Sequence, residues 1–447
     1  MKKITNKVLW LFAVGQFGWS LLSGIIGSWM VYYYTGDNAV FADNITTAPL
    51  FLNLTLFGLV VAVGRIFDAI TDPLVAGWSD SSAFRGGRRI PFMKVIAVPF
   101  ALITVGVFAL PATGNIVVND VILFVTLMLF YLFMTIYCTP YNALIAELGD
   151  TQEHRINVST YISFTYIAGF SVAYLLPNIA GLFTDALGAA AAVRLAIALL
   201  ALLAAVAMMV PALCIKERDY IASEPVKTHA FRSLLLSFGN GQFRRFVYSD
   251  VIYFFAVTLF QTGLAFYITQ LMKADASSSF LLTVIMTVVS LCLYPAVNKL
   301  APKLGKKKII VAGFFAYAAV FLLASFCGEG ILWGYIIAVL AGVPMAVLGI
   351  LPQAVVADIA EADAKETDES RSGMFFAART FAMKLGQAVA LLVFTSVTVS
   401  QTEFSYRLTA IIATVFCFIG AVLFLFYNEK KVLEKIENGQ TSEENEA

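Results

Sequence analysis

Twelve runs of mostly apolar residues, each about 20 residues or longer, divide this chain from end to end, and no other feature limits its possible folds as much. A helix needs about 20 such residues to cross a hydrocarbon layer about 30 Å thick. The runs fall approximately at 8–34, 49–77, 91–111, 120–146, 156–184, 188–215, 246–272, 277–298, 308–327, 331–358, 372–400 and 404–428. Several are longer than a perpendicular crossing requires, which implies tilt or helices that project into water. The expected fold class is an all-α membrane protein with twelve transmembrane helices in two pseudo-symmetric six-helix bundles. Composition agrees: of 447 residues, 60% are hydrophobic and 13% charged, and the mean hydropathy is +0.83. Soluble domains carry about 25% charged residues. A net charge of +1 without a long basic tract argues against nucleic acid as a partner. No HExxH, GxSxG or P-loop spacing occurs, so neither an enzyme nor a cofactor is expected.

The polar breaks give the organisation. The longest, residues 216–245, separates an N-terminal bundle (1–215) from a C-terminal one (246–428), and a polar tail follows at 429–447. Within the linker, residues 229–238 read as a short amphipathic helix lying on the inner leaflet. The basic stretch Met1 to Lys7 precedes an apolar run to Tyr34, too long for a signal-peptide core, so it reads as the first span. Five widely spaced cysteines in apolar stretches read as packing residues. Of the 30 Lys and Arg residues, 23 lie in the N-terminus, the even-numbered loops and the tail. The odd-numbered loops hold one, Lys273. This bias places both termini in the cytoplasm of a multi-pass plasma-membrane protein, expected to be a monomer whose partners are the bilayer and a small solute.

The halves echo each other. Pro73-Leu-Val-Ala-Gly-Trp-Ser-Asp80 follows the second span and leads to Arg85-Gly-Gly-Arg-Arg89; Pro295-Ala-Val-Asn-Lys-Leu-Ala-Pro302 follows the eighth and leads to Lys303-Leu-Gly-Lys-Lys-Lys308. Parallel repeats of this kind build alternating-access carriers that hold substrate near the midplane.

Charges inside the spans carry the chemistry. A charged side chain at mid-bilayer costs about 2.5–3.5 kcal/mol on insertion scales. The second span nevertheless contains Arg65-Ile-Phe-Asp68-Ala-Ile-Thr71-Asp72-Pro73, whose spacing lines Arg65, Asp68 and Asp72 along one helical face. Two poorly solvated carboxylates one turn apart require that one hold a proton or that a cation lie between them. Hard cations select oxygen ligands, and Thr71 supplies a hydroxyl nearby. Alternatively, Arg65 neutralises one acid and the other sits at the cytoplasmic edge. In span 11, Lys384 lies too deep to reach water and needs an anionic partner, for which the span 2 acids are the expected source. Arg379 reads equally as a snorkelling side chain. Asp250 reads as an interfacial partner of Arg244 and Arg245, and Arg194 and Arg407 as snorkelling near helix ends. Among the aromatics, Trp19, Trp29, Tyr32, Tyr33 and Tyr141 are candidates to stack on a sugar ring.

The run Arg65-Ile-Phe-Asp-Ala-Ile-Thr-Asp-Pro-Leu-Val-Ala-Gly-Trp-Ser-Asp80, with Gly87-Arg88-Arg89-Ile-Pro91, resembles the glycoside–pentoside–hexuronide:cation symporters, the melibiose-carrier-like branch of the major facilitator superfamily. Tyr32-Tyr-Tyr-Thr35, Thr139-Pro-Tyr-Asn-Ala-Leu-Ile-Ala-Glu147 and Met383-Lys384-Leu-Gly386 extend the resemblance over both halves. It implies cation-coupled symport, with Asp68, Asp72 and Thr135 binding Na⁺ or H⁺ and Lys384 as the coupling lysine. Thr71 stands where melibiose carriers have an asparagine.

The same resemblance points to a solute cavity near Gln16, Trp19, Ser20, Cys138, Tyr141 and Asn142. It also departs there: no acid occurs in Gly15-Gln16-Phe-Gly18 or at Trp19 and Ser20, Cys138 replaces the acid before the helix IV proline, and Asn157 to Tyr166 contains no arginine. Galactoside recognition is therefore not expected. The solute is a sugar, glycoside or related molecule, or alternatively a lysophospholipid or other amphiphile. Asp80, Arg88, Arg89, Glu361 and Asp363 are the expected cytoplasmic gate.

Overall fold

The computed structural model describes residues 4–35, 40–51, 53–82, 84, 86–110, 114–148, 152–220, 237–367 and 372–436. Along these residues run helices α1 (Asn6–Tyr34), α2 (Leu56–Asp80), α3 (Ile90–Val107), α4 (Ile116–Leu148), α5 (Gln152–Ala173), α6 (Leu176–Leu187) and α7 (Ala189–Cys214), then the one-turn α8 (Glu217–Tyr220). The second half holds α9 (Gly241–Phe266), α10 (Ser278–Leu304), α11 (Lys306–Ser325), α12 (Leu332–Thr367), α13 (Ser372–Val397) and α14 (Glu403–Phe424). Eleven helical stretches among the described residues are long and apolar enough to cross a membrane, the α5–α6 pair counting as one. The remaining span is α2. It has the length, 25 residues, but Arg65, Asp68 and Asp72 interrupt its apolar surface.

Three boundaries differ from expectation. The first seven residues of the expected second span form a two-stranded antiparallel hairpin, Pro49–Phe51 with Leu54–Thr55, turned by Asn53 at φ 60°. Turn chemistry overrides hydropathy here, and Thr55 then caps α2 by accepting from the Gly58 N–H at 3.0 Å. The fifth span breaks at Tyr174–Leu175, because Pro177 in the first turn of α6 has no N–H to continue α5. Helix α12 continues through the acidic stretch to Thr367, beyond the expected end at 358. The amphipathic helix expected at 229–238 falls mostly, and the tail from 437 wholly, outside the described residues.

The chain divides into two compact units, Met1–His229 with Asp275–Phe280 and Ala230–Ala274 with Leu281–Ala447. Each unit fastens its third spanning helix to its sixth by the same two devices. A helix leaves its first N–H groups and last C=O groups without intrahelical partners, and its dipole favours an anion at the start and a cation at the end. In the first unit Glu217, which is buried, accepts from the backbone N–H groups of Arg88 (2.7 Å), Arg89 (2.8 Å) and Ile90 (2.9 Å), at the start of α3. In the second, Glu429 accepts from Lys306 (2.7 Å) and Lys307 (3.1 Å), at the start of α11.

Each cap is admitted by a glycine in the left-handed region, Gly87 at φ 121° and Gly305 at φ 87°. A Cβ on Gly87 would overlap the Glu217 carboxylate. At the other ends Arg194 donates to the Phe108 (3.1 Å) and Leu110 carbonyls after α3, and Arg407 donates to Ser325 (2.8 Å) and Cys327 (2.9 Å) after α11. Arg194 and Arg407 are thus helix caps rather than snorkelling cations. Carbonyls near a low-dielectric layer have no water to turn to, so a guanidinium fork is the available donor.

Glu217→Gln is expected to lower the melting temperature of the purified chain, at a cost of about 1–3 kcal/mol. The effect should exceed that of Glu429→Gln, since Glu217 serves three donors and Glu429 two. Tryptophan-fluorescence melts in detergent measure both; an unchanged melt for Glu217→Gln counts against the capping role.

Candidate cation site

The polar face of α2 meets α4 inside the first unit. Pro73 forces α2 to give up one backbone hydrogen bond beside Asp72, since its nitrogen carries no proton for the Ala69 carbonyl. From α4, Thr135 reaches across: its Oγ1 lies 3.0 Å from Asp68 Oδ1, 3.3 Å from Asp72 Oδ1 and 3.3 Å from Thr71 Oγ1. Thr71 also donates to the Asp68 carbonyl at 3.1 Å, a local bond that fixes its rotamer. Four oxygens therefore converge, from residues that are buried except for the half-buried Asp72. One threonine proton serves at most one carboxylate fully, so the hydroxyls alone leave this group of oxygens short of positive charge.

Arg65 supplies part of it. Its Nη1 stands 3.8 Å from Asp68 Oδ2, and its guanidinium lies over the Tyr131 ring at 5.2 Å from the centroid. Two carboxylates and one guanidinium thus meet with two hydroxyls at this cluster.

The wall behind Thr135 is stiff. Two and six residues further along α4, Tyr137 donates to the Met208 carbonyl at 3.0 Å and Tyr141 to the Phe12 carbonyl at 2.9 Å, tying α4 to α7 and α1. Tyr141 is fully buried and stacked on Phe12 at 4.2 Å between centroids. Its hydroxyl and ring face are thus committed to packing and do not line a solute cavity as the sequence suggested. The same holds for Ser20, fully buried with its hydroxyl donating to the Phe17 carbonyl at 3.1 Å, and for Trp29, whose Nε1 donates to the Ala173 carbonyl at 2.9 Å. Gln16 and Trp19 differ. Gln16 Oε1 and Trp19 Nε1 are buried without a hydrogen-bond partner among the described residues. Cys138 is half-buried and Asn142 exposed.

Other expected residues are scattered. Arg89 is buried with Nη1 donating to Ser79 Oγ at 2.9 Å, and Arg88 supplies a backbone N–H to the Glu217 cap. In the second unit Asp363 is buried and accepts from Asn240 Nδ2 at 3.1 Å, while Glu361 is exposed. The Asp80 side chain lies outside the described residues. Lys384 is on α13, 9% exposed. On the same helix Arg379 makes a bidentate pair with Asp250 of α9, Nε to Oδ2 at 2.7 Å and Nη2 to Oδ1 at 3.0 Å, flanked by the rings of Phe246 and Phe254. Asp250 thus pairs with Arg379 rather than Arg244 or Arg245, and Arg379 does not snorkel: a planar fork against a carboxylate outcompetes flexible interfacial side chains. Sequence reading missed this pair and the caps at Glu217 and Glu429. For the caps a signal existed, an acid followed by a base just past the sixth apolar run of each half, at Glu217-Arg218 and Glu429-Lys430.

The family model for MFS/sugar transport proteins matches residues 11–428. Among curated relatives, an uncharacterized symporter of Synechocystis is 28% identical over 170 residues, covering 37% of this chain and 29% of that one. A putative glycoside/cation symporter of Escherichia coli is 22% identical over 389 residues, covering 83% and 82%. A sodium-dependent lysophosphatidylcholine symporter of Gallus gallus is 23% identical over 381 residues, covering 77% and 70%. The matched stretch is thus under a third of the length of the first of these relatives. Among solved structures, a D-xylose–proton symporter superposes with a TM-score of 0.70 at 17% identity, covering 96% of this chain and 98% of that one. At that identity the likeness speaks to the fold, which is that of the major facilitator superfamily.

An ion that binds only the folded chain stabilises it by about 2.7 kcal/mol at a hundred times its dissociation constant. Na⁺ or Li⁺, or a fall in pH if the ion is a proton, is therefore expected to raise the melting temperature by several degrees. Asp72→Asn should abolish the shift and Thr135→Ala weaken binding about tenfold, with Thr135→Ser close to the parent. A cation shift that survives Asp72→Asn would remove the ion from this cluster. Separately, Asp250→Asn should destabilise by about 3–5 kcal/mol by stranding Arg379, and Asp250→Asn with Arg379→Gln should recover part of that loss in the same melts.

Proposed function

The chain belongs to the MFS/sugar transport protein family, and from that premise we propose that it is a cation-coupled symporter of a hydroxyl-rich solute, a sugar or glycoside. The observation that carries the reading is the convergence of Asp68, Asp72, Thr71 and Thr135 oxygens, two of them from carboxylates. Such a cluster is costly when empty and has no structural need to exist inside a membrane helix. A monovalent ion that fills it shifts the population toward the state that binds solute, and a mutual tenfold gain in affinity corresponds to about 1.4 kcal/mol of coupling. Na⁺ and H⁺ both suit a pair of carboxylates. Thr71 offers a hydroxyl, a compact neutral ligand that serves either.

For the solute, Gln16 Oε1 and Trp19 Nε1 offer one acceptor and one donor, both buried and unspent among the described residues. A sugar hydroxyl both donates and accepts, so it suits this pair, with the Trp19 ring as the apolar face that a pyranose or furanose covers. The absence of an acid in α1 favours a solute held by neutral groups over a galactoside. The second reading, a lysophospholipid carrier, draws on the Gallus gallus relative's name and on the same lack of acids. Lys384, deep in α13, is proposed as a coupling group, and Arg65 as a second one, a fixed positive charge beside Asp68. The charge bias of the loops supports a plasma-membrane protein with both termini in the cytoplasm.

Uptake of a panel of labelled pentoses, hexoses and glycosides into proteoliposomes, with a Na⁺ or a proton gradient, tests the proposal. At least one should be taken up at least tenfold faster with the gradient than without, and Asp68→Asn should erase the stimulation. Lys384→Gln is expected to leave ion binding in the melts while uncoupling uptake. Gradient-driven uptake of lysophosphatidylcholine and of no sugar would establish the second reading instead.

A further inference from the structure

The lipid-facing side of the first unit carries a recess that the ion site does not use. Helices α3 and α7 are held together at one end by Glu217 and at the other by Arg194. Between the clamps, Ala101, Gly106, Ala198, Ala201 and Ala205 are too small to fill the gap. The result is a groove of about 950 Å³ whose lining, apart from the Met209 thioether and the Cys214 thiol, is aliphatic. Its rims are exposed: Leu102 is 66% accessible and Val206 60%. In a bilayer such a groove is filled by hydrocarbon, because its rims stay exposed among the described residues and water gains nothing there.

At one end of the groove lies a second cavity of about 550 Å³, and Leu213 lines both. Amid an otherwise apolar lining, the charged groups of this mouth are mainly basic. It is lined by Lys94 from the first turns of α3, and by Lys216, Arg218 and Asp219 beyond the end of α7. Glu217, between them in sequence, is turned away and consumed by the α3 cap. The mouth therefore carries three positive charges against one negative. Arg218 spends one donor on the Phe84 carbonyl at 3.0 Å. Lys94 and Lys216 are exposed and make no hydrogen bond or ion pair among the described residues. The lysines at the start of α11 in the second unit are instead spent: Lys306 on Asp358 and Lys307 on the Leu425 carbonyl.

We propose that this cleft is a binding site for one anionic phospholipid, with an acyl chain along the α3–α7 groove and its phosphate headgroup against Lys94, Lys216 and Arg218. The two cavities match the two ends of one molecule. A soluble anion would use the mouth and leave the groove; a zwitterionic lipid would use the groove and leave two positive charges uncompensated. Basic pockets between transmembrane helices at a membrane surface select acidic headgroups on this principle. The site lies wholly within the first unit and does not depend on which solute or ion the chain carries.

Native mass spectrometry of the full chain, titrated with phosphatidylglycerol and with phosphatidylcholine of identical chains, tests the proposal. One phosphatidylglycerol should be retained per chain, in preference to phosphatidylcholine. Each basic group near the surface contributes about a fivefold gain, so Lys94→Gln with Lys216→Gln should weaken retention about thirtyfold. The matched control Lys299→Gln with Lys303→Gln, which removes two exposed lysines of α10, should leave it unchanged. Ala201→Leu, which fills the groove and keeps the charges, should also reduce retention, while melts report whether it folds. Equal retention of both lipids, full retention by the double lysine variant, or displacement by glycerol phosphate at the lipid's own concentration would each overturn the assignment.

Discussion

A polar group in or beside a bilayer has no water to fall back on, and each unit of this chain is arranged around that constraint. The ends of α3 and α11 illustrate it. Each start is closed by a carboxylate past the sixth span and each finish by a guanidinium near that span's beginning, so both termini of one helix are satisfied by its neighbour. The same bonds that settle the backbone also fix the helix pair as a rigid plate. That one demand is met in the same way twice, by Glu217 with Arg194 and by Glu429 with Arg407, gives the repeat a physical content that the basic loops alone lack.

Against this economy, α2 stands out as the helix that declines to be apolar. Its acids sit where insertion is costly, yet all four convergent oxygens have partners on α2 or α4. Arg65 stands beside one of the two acids. The arrangement makes sense as a place built to be completed, and it accounts for α2 being the span whose hydropathy falls short.

Much of this was legible in the chain's order of residues. The spans, the two halves and the Arg65–Asp68–Asp72 face follow from periodicity, because helix geometry and bilayer thickness leave few alternatives. Thr135 is different: nothing in the spacing of α4 distinguishes it from other hydroxyls, and only the resemblance to cation symporters singled it out. What could not be read was pairing across distance. Asp250 is flanked in sequence by Arg244 and Arg245, and its actual partner, Arg379, is 129 residues away. Tyr141 looked available to a solute because its neighbours in sequence are those of a cavity wall; packing against Phe12 decided otherwise. Hydropathy also misjudged the start of α2, where Asn53 and Thr55 write a turn and a cap into an apolar run.

The unequal burial of the two acids has a mechanical corollary. Asp68 is enclosed and Thr135 is backed by tyrosines bolted to neighbouring carbonyls, whereas Asp72 is half-open and sits against the proline that loosens its helix. The cluster thus resembles a calliper with one fixed jaw and one hinged. An occupant of the wrong diameter would be accommodated by moving Asp72 alone, so discrimination among ions would be written in the stiffness of the turn around Pro73 rather than in the identity of the ligands.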